Sequence, residues 1–316
     1  MAKKVSVIIP NLNGMKYLPV CFDSLARQTF TDFETIMIDD GSTDESVTLT
    51  QRDYPWVRII RHDQQLGFIR GINDGFQAAD GEILISLNND TEVAEGWLDA
   101  IVTSLTNHSQ AGMAASKIRL FDRRQFLHSA GDAFGEDGIP VNRGVWQEDQ
   151  GQFDQDQLIF GGCGGAIAYR RSMLTEIGFF DEDLFMYCED VDLNWRSQLA
   201  GYQCVFVPEA LVYHHVSATG GGALASYFTG RNTLLVLIKS VPGIVWRKHW
   251  RKMIKAQLRI AYEALRAWRG EAARARLRGQ LVGLLMLPLW LVKRRQVQAT
   301  RRVSEAYLES LLQKSP

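Results

Sequence analysis

Three short apolar, β-branched runs of the chain each end in a polar knot. Val5–Pro10 gives way to Asn11 and Asn13, Ile36–Ile38 to Asp39, Asp40, Gly41 and Ser42, and Ile83–Leu87 to Asn88, Asn89 and Asp90. Apolar runs of this length, separated by helix-length segments, read as parallel strands buried on both faces. The first intervening segment has Leu18, Cys21, Phe22 and Leu25 at helical spacing, with Asn13 placed to cap it. The second predicts a helix capped by Ser42 or Thr43 and running to about Asp53, with Asp44 and Glu45 in its first turn. Arg58–Ile60 reads as a strand, Ile69–Ala79 and Trp97–Thr106 as helices, and Gly112–Leu120 as a strand. This alternation predicts an α/β chain with a mixed, mostly parallel sheet flanked by helices. Ligands of such sheets sit outside the carboxyl ends of the strands. The three knots therefore meet on one crevice. Carboxylates gathered there need partners, either the donor groups of a base or a metal with phosphates, and that predicts a nucleotide site.

The pattern changes after residue 120. Residues 121–157 are rich in Gly, Asp and Gln without clear periodicity, and read as a long, partly ordered excursion over the site. Leu158–Tyr169 reads as a strand interrupted by Gly161, Gly162, Gly164 and Gly165, which signals close backbone approach or a bulge. Cys188–Leu199 predicts a helix ended by Gly201, and Cys204–Tyr213 a strand ending in His214 and His215. From Arg231 the chain is helical and basic.

Composition adds one point. Of 316 residues, 46% are hydrophobic and 22% charged, an ordinary globular balance. The net charge of −1 conceals a split: residues 1–230 hold 16 Lys and Arg against 32 Asp and Glu, residues 231–316 hold 19 against 4. Such asymmetry points to nucleic acid or an anionic membrane as partner. The absence of an RNA-recognition or zinc-finger motif, and the acidic N-terminal part, argue against nucleic acid. Cys21, Cys163, Cys188 and Cys204 lack metal or disulfide spacing and read as reduced, cytosolic thiols. The apolar run after Lys3 and Lys4 is only about six residues, too short for a signal peptide.

Four constellations carry candidate chemistry. Asp40, in Asp39-Asp40-Gly41-Ser42, can accept the imide N–H of uracil or thymine, although the same turn also suits helix capping. Asn88-Asn89-Asp90-Thr91 offers one carboxylate and two amides, a set suited to Mg²⁺ or Mn²⁺ already bridged to a diphosphate, and equally to an Asx turn. In Glu189-Asp190-Val191-Asp192 the acids suit a helix N-terminus. Asp192 has Arg196 at i+4 and reads as a structural pair. Glu189 and Asp190 follow the apolar, aromatic Phe185-Met186-Tyr187, which would raise a carboxyl pKa toward the range useful for a base. His214, at a strand end, could complete a metal site with Asp90. The Ser217-Ala218-Thr219 segment with the glycines after it reads as a lid, and Arg231 as a phosphate clamp.

Together these residues resemble the family 2 inverting glycosyltransferases of GT-A (Rossmann-like) fold, over about residues 4–235. The resemblance is carried by Val5–Asn11 with Asn13-Gly14, Gln28-Thr29-Phe30, Asp39–Asp44, Gly67-Phe68, Ala79–Glu82 with Asn88–Asp90, Glu189-Asp190 and His214. Gly178-Phe179-Phe180-Asp181-Glu182, Glu189–Leu193 and His214–Thr219 are most similar to the rhamnosyltransferase-like subgroup of bacterial surface polysaccharide synthesis. The resemblance implies a GT-A catalytic domain over residues 1–230, with 1–120 binding nucleotide and 121–230 the acceptor, followed by a helical, basic region over 231–316. It implies a dTDP- or UDP-sugar donor contacted by Pro10, Asn11, Leu12, Asp40, Arg70, Asn88, Asn89 and Arg231. Mg²⁺ or Mn²⁺ would sit on Asp90 and His214, with Asp190 as general base beside Glu189. It also implies transfer of a sugar, rhamnose among the candidates, to a glycan or lipid-linked glycan. Asn88 and Asn89 stand where many members carry Asp, which should weaken the metal or make it depend more on the donor's diphosphate. The Gln-x-x-Arg-Trp motif of processive members is absent, so one sugar per encounter is expected.

Within 247–278 cations alternate with Trp250, Ile254, Leu258, Ile260, Leu265 and Trp268 just after Trp246; Leu281–Val292, with Gly283 and Pro288, is an apolar run of about twelve residues, short for a span. This suits lying on an anionic membrane, which places the protein in the cytoplasm, peripheral on the inner membrane, or a solvated helical subdomain, or self-association. Two rival functions share the fold neighbourhood. A sugar-phosphate nucleotidyltransferase would want a glycine-rich basic loop after the first strand, where this chain has Asn11–Gly14 and only Lys16. A non-catalytic sugar- or nucleotide-binding protein would have no need of Asp40, Asp90, Asp190 and His214 together.

Overall fold

The computed structural model describes residues 3–155, 157–215 and 221–314. The chain begins β1 (Val5–Asn11), α1 (Leu18–Ala26), β2 (Phe33–Asp39), α2 (Ser46–Asp53), β3 (Val57–Arg61), α3 (Phe68–Ala78), β4 (Ile83–Leu87) and β5 (Thr91–Val93). It continues with α4 (Trp97–Asn107), β6 (Ala111–Leu120), β7 (Leu127–Ser129), β8 (Asp132–Gly135), β9 (Pro140–Asn142), β10 (Leu158–Ile159), β11 (Ala166–Arg170) and α5 (Arg171–Ile177). The last elements are α6 (Glu189–Leu199), β12 (Gln203–His214), α7 (Gly222–Lys239), α8 (Gly243–Arg266), α9 (Glu271–Ala299), α10 (Glu305–Ser310) and β13 (Leu312–Gln313).

Two compact units divide these elements. The first comprises Met1–Asp132, Asn142–Phe185 and Tyr202–Thr219, the second Ala133–Val141, Met186–Gly201 and Gly220–Pro316. The first unit is built on a sheet of order β10-β12-β6-β11-β4-β1-β2-β3, with β5 added on β12 and β7 on β6. β1 runs parallel to β2 and β4, β2 to β3, and β12 to β6, while β11 is antiparallel to β4 and β6. The β-branched runs fill the interior: Val5, Val7, Ile9, Met37, Ile83 and Ile85 pack with Leu18, Phe22 and Leu25 of α1 and Trp97 of α4. This register puts Asn11 beside Asp39 and brings β4 to the same edge, so the three polar knots fall together.

Three sequence expectations change. Neither α1 nor α2 has a side-chain cap; they begin at Leu18 and Ser46. Asn13 instead accepts the N–H groups of Thr43 (2.8 Å) and Asp44 (3.2 Å), while Ser42 Oγ accepts the N–H of Asn13 (2.9 Å). The loops after two parallel neighbours lie side by side, so their polar side chains brace each other rather than their own helices. The Leu158–Tyr169 segment is not one strand but β10 and β11, with the glycines between them. A Cβ at Gly162 would come within 2.5 Å of Ile167 Cδ1 and 2.9 Å of Ala115 Cβ, so the backbone there packs closer than a side chain would allow. Residues 121–157 are more regular than their composition suggests and hold three short strands.

The second unit contains α6, the three-stranded sheet β13-β8-β9 and the C-terminal helices. Asp192 of α6 is fully buried and accepts from Arg196 Nε (2.9 Å), Lys239 Nζ (2.9 Å) and Ser240 Oγ (2.7 Å). Burial alone would raise its pKa; Lys239 and Arg196 outweigh burial and hold the carboxyl far below its usual range. Position 231 falls within α7. The helix α9 runs unbroken through Pro288 and is, by length and composition, long and apolar enough to cross a membrane. Residues 216–220, where most of the expected lid falls, lie outside the described residues.

Candidate active site

At the strand edge of the first unit the polar side chains form one connected layer. Asn11 donates to Asp39 Oδ1 (3.1 Å) and Ser42 Oγ (3.2 Å), and its carbonyl oxygen accepts from Asn89 Nδ2 (2.8 Å). All three knots are thus tied through Asn11. Asp39 is fully buried, accepts the Ser42 N–H and faces Arg61, so it reads as a lock rather than a ligand group. Asp40 Oδ1 accepts the Leu66 N–H (2.8 Å) and lies 2.9 Å from His62 Nδ1; Oδ2 accepts the Gly67 N–H (2.8 Å). The Gly67 φ of +97° puts that N–H in reach, and a Cβ there would strike the Phe185 ring at 2.6 Å. A carboxylate has about four lone-pair sites, so Oδ2 of Asp40 keeps one for a further donor. Beside this loop is an open pocket of about 420 Å³ lined by Leu66, Arg70, Glu182 and Phe185. Arg70 is held there by Asp74 (3.1 Å) and Glu182 (3.1 Å). Pro10 and Leu12, at the end of β1, are half-buried.

The second cluster joins residues far apart in sequence. β12 pairs antiparallel with β5 so that His214 lies opposite Thr91, next to Asp90. The buried Asp90 Oδ1 makes no hydrogen bond, yet stands 3.1 Å from His214 Nε2. Asn88 Nδ2 lies 3.2 Å from the same ring nitrogen, and His128 Nδ1 lies 3.1 Å from His214 Nδ1. Burial, reinforced by His214, pushes the His128 pKa down to about 3, so His128 is neutral at physiological pH. Asn88 Nδ2 can only donate, so His214 Nε2 is the acceptor, and its single lone pair lies beside a carboxylate oxygen that has no donor; a cation there would take that lone pair in place of the Asn88 N–H. Two acceptors so placed fit a cation between them. Among the described residues no group of three or more His, Cys, Asp or Glu gathers as a metal site, so such an ion would need the donor's phosphates or water for its remaining ligands. His215 takes no part in this pair: its ring stacks on Phe121 at 3.7 Å, and its N–H goes to the Asp90 carbonyl.

In the second unit, Glu189 and Asp190 open α6 after Tyr187 and Cys188, both with positive φ (65° and 64°). Asn232 of α7 holds this strained turn, donating to the carbonyls of Met186 (2.8 Å) and Tyr187 (2.7 Å). Glu189 is buried, and desolvation with help from the Asp190 charge pushes its pKa up to about 8. Asp190 is half-buried and accepts its neighbour's N–H at Val191 (2.7 Å). Arg231 donates to Asn232 Oδ1 (2.8 Å) and lies over Phe228.

The strand ends therefore bring Asn11, Asp40, Asn89 and Asp90 to one edge of the first unit, and His214 joins them; Glu189, Asp190 and Arg231 belong to the second unit. His62, His128 and Asn232 escaped sequence reasoning. Each acts through a neighbour brought near by tertiary structure, and no spacing announces it.

The family description "Glycosyl transferase family 2" matches residues 6–178, and "Glycosyl transferase family group 2" matches 148–294. A PGL/p-HBAD biosynthesis glycosyltransferase of Mycobacterium bovis BCG is 31% identical over 201 residues, covering 62% of this chain and 70% of its own length. The N-acetylglucosaminyl-diphospho-decaprenol L-rhamnosyltransferase of Mycobacterium tuberculosis is 28% identical over 264 residues, covering 75% of this chain and 84% of that protein. Among solved structures, GalNAc-T7 with UDP, GalNAc and Mn²⁺ superposes with a TM-score of 0.61 at 21% identity, over 75% of this chain and about half (48%) of that one. With the family match running through more than half its length, and the fold shared with that transferase, the chain belongs to glycosyltransferase family 2 and is a transferase of GT-A fold.

Proposed function

We propose that the protein is an inverting, non-processive glycosyltransferase that moves a sugar from a dTDP- or UDP-sugar to a hydroxyl of a glycan or lipid-linked glycan. The observation that carries this reading is the Asp90 oxygen without a hydrogen bond, facing His214 Nε2 at the end of β4. The mycobacterial rhamnosyltransferase, whose name includes a diphospho-decaprenol acceptor, supports the lipid-linked class.

The pocket beside Leu66 and Phe185 takes the base, with the free lone pair of Asp40 Oδ2 accepting the imide N–H and Arg70 at its rim. Pro10–Leu12 lines the nucleoside. Asn88 and Asn89 orient the diphosphate, and Arg231 clamps its oxygens. Asp90 and His214 hold Mg²⁺ or Mn²⁺, which when bound supplies positive charge against the leaving diphosphate. Asp190 takes the proton of the acceptor hydroxyl. That oxygen bonds to the anomeric carbon on the face opposite the diphosphate, and the carbon–oxygen bond to the diphosphate breaks, its electron pair leaving with the nucleoside diphosphate. Glu189, protonated below about pH 8, leaves the negative charge to Asp190. The basic C-terminal region holds the enzyme at the anionic cytoplasmic face where such acceptors reside.

A thermal-shift screen of nucleotide-sugars with Mn²⁺ or Mg²⁺ tests the class. A selective response to a dTDP- or UDP-sugar is expected, whereas a response only to nucleoside triphosphates with sugar phosphates would refute it. Asp190→Asn is expected to lose at least about 10² of turnover while keeping the donor shift. Normal turnover in that variant would remove Asp190 from the base role.

A further inference from the structure

The second unit leaves a large apolar face open. On α8, Trp250, Ile254, Leu258, Tyr262 and Leu265 recur at helical spacing, with Trp268 just past the helix end, and all are exposed. On α9, Leu281, Leu284, Leu285, Leu289, Leu291 and Val292 are exposed as well. Between these helices and α7 opens a groove of about 300 Å³ walled by side chains such as Leu234, Leu237, Trp246, Leu258, Leu284 and Leu287. A soluble monomer rarely shows contiguous apolar surface on this scale without a partner for it.

The charges around the face select the partner. Residues 231–316 hold 19 Lys and Arg against 4 Asp and Glu, and Arg251, Lys255, Arg259, Arg266, Arg278 and Arg295 are exposed on the same two helices. A second copy would set like charge against like charge. An anionic bilayer complements both the cations and the apolar side chains, and Trp and Tyr favour its interface.

The packing also fixes how α9 meets that bilayer. Its Gly279 lies against the Tyr227 carbonyl of α7, where a Cβ would come within 2.1 Å, and Gly283 lies against the Arg231 carbonyl. Further along, Arg294 donates to the carbonyls of Ile238 (2.5 Å) and Val241 (2.7 Å), and Gln298 to those of Lys239 and Ser240. α9 is thus bound to α7 along its length, beside the buried Lys239–Asp192 pair. Crossing a membrane would carry those charges into hydrocarbon, where ionised side chains are strongly disfavoured. Lying in the interface plane carries only the exposed apolar faces there.

We propose that α8 and α9 lie in the membrane interface and that the groove between them and α7 takes one acyl chain of a bilayer lipid. This deepens the membrane reading above and does not depend on the catalytic one. The test uses the full chain with phosphatidylglycerol/phosphatidylcholine vesicles whose acyl chains carry bromine, a short-range quencher of tryptophan fluorescence. Sedimentation with the vesicles and quenching are expected, with a distinct quenched component lost in Trp246→Phe because Trp246 lines the groove. Leu258→Glu at the exposed lip, which leaves the helix contacts intact, should weaken partitioning on the order of tenfold. Failure to bind anionic vesicles, or quenching unchanged in Trp246→Phe, overturns the proposal. The donor thermal shift, measured on the same samples, separates the two readings: a donor response without groove quenching overturns this inference alone, and groove quenching without a donor response upholds it while the catalytic reading fails.

Discussion

At the scale of single residues, the site depends on groups that never touch substrate. His128 is the clearest. Held neutral by burial, its Nδ1 lies 3.1 Å from His214 Nδ1, and that contact fixes which ring nitrogen faces Asp90. Groups that orient a metal-ligating imidazole typically contribute 10- to 100-fold to metal affinity. His128→Phe is therefore expected to weaken the Mn²⁺-dependent part of donor binding by roughly tenfold, with the metal-free part unchanged; calorimetric titration with and without the ion would show it. Glu189 leads to a second expectation. Its pKa stands at about 8 in the folded chain against an ordinary 4.5, so the folded state holds the proton more tightly than the unfolded one. The associated stability is complete below the ordinary value and is lost as pH rises through about 8. Melting temperature should therefore fall between pH 5 and pH 9, and Glu189→Gln should flatten that fall. An unchanged slope in the variant would show that another group controls it.

At the scale of elements, what the sequence made legible was hydrophobic period. β1, β2, β4 and β6, with the helices between them, follow from apolar runs and helical spacing, and the strand ends of Asn11, Asp39 and Asn88–Asp90 follow with them. The side-chain caps were misread because Asn13 and Ser42 bond across to a neighbouring loop, a relation that exists only once β1 and β2 are paired. The pairing of β12 with β5 was equally hidden, since it joins segments about 120 residues apart, and it alone sets His214 beside Asp90. The α7–α9 contact is of the same kind: glycines that look like helix breakers are points of backbone contact. A methyl group at Gly279 would meet the backbone of Tyr227 and Arg231, and backbone does not yield cheaply. Gly279→Ala, which would favour an isolated helix, is expected instead to destabilise the protein by about 1–3 kcal/mol. A denaturant titration showing equal or higher stability would mean the helices can separate without loss.

At the scale of the whole molecule, the charge split makes the C-terminal region look like an appendage, but its inner surface is structural. Asp192 lies in α6, yet two of its three side-chain partners, Lys239 and Ser240, come from the end of α7 and the residue after it. Asn232, which holds the turn before Glu189, is also on α7. A chain ending at Gly230 would keep Asp192 and Arg196 and lose Lys239, Ser240 and Asn232 together. Removing one partner of a buried charge costs about 3–5 kcal/mol, against roughly 5–15 kcal/mol for the stability of a typical domain. Such a truncation should therefore lose the α6 fold and with it any turnover, for reasons unrelated to membranes. Limited proteolysis is expected to cut the 1–230 fragment within 186–201 while sparing the same segment in the full chain. A fragment that resists cleavage there would show that α6 carries its own support, and that the basic helices serve only the surface they present.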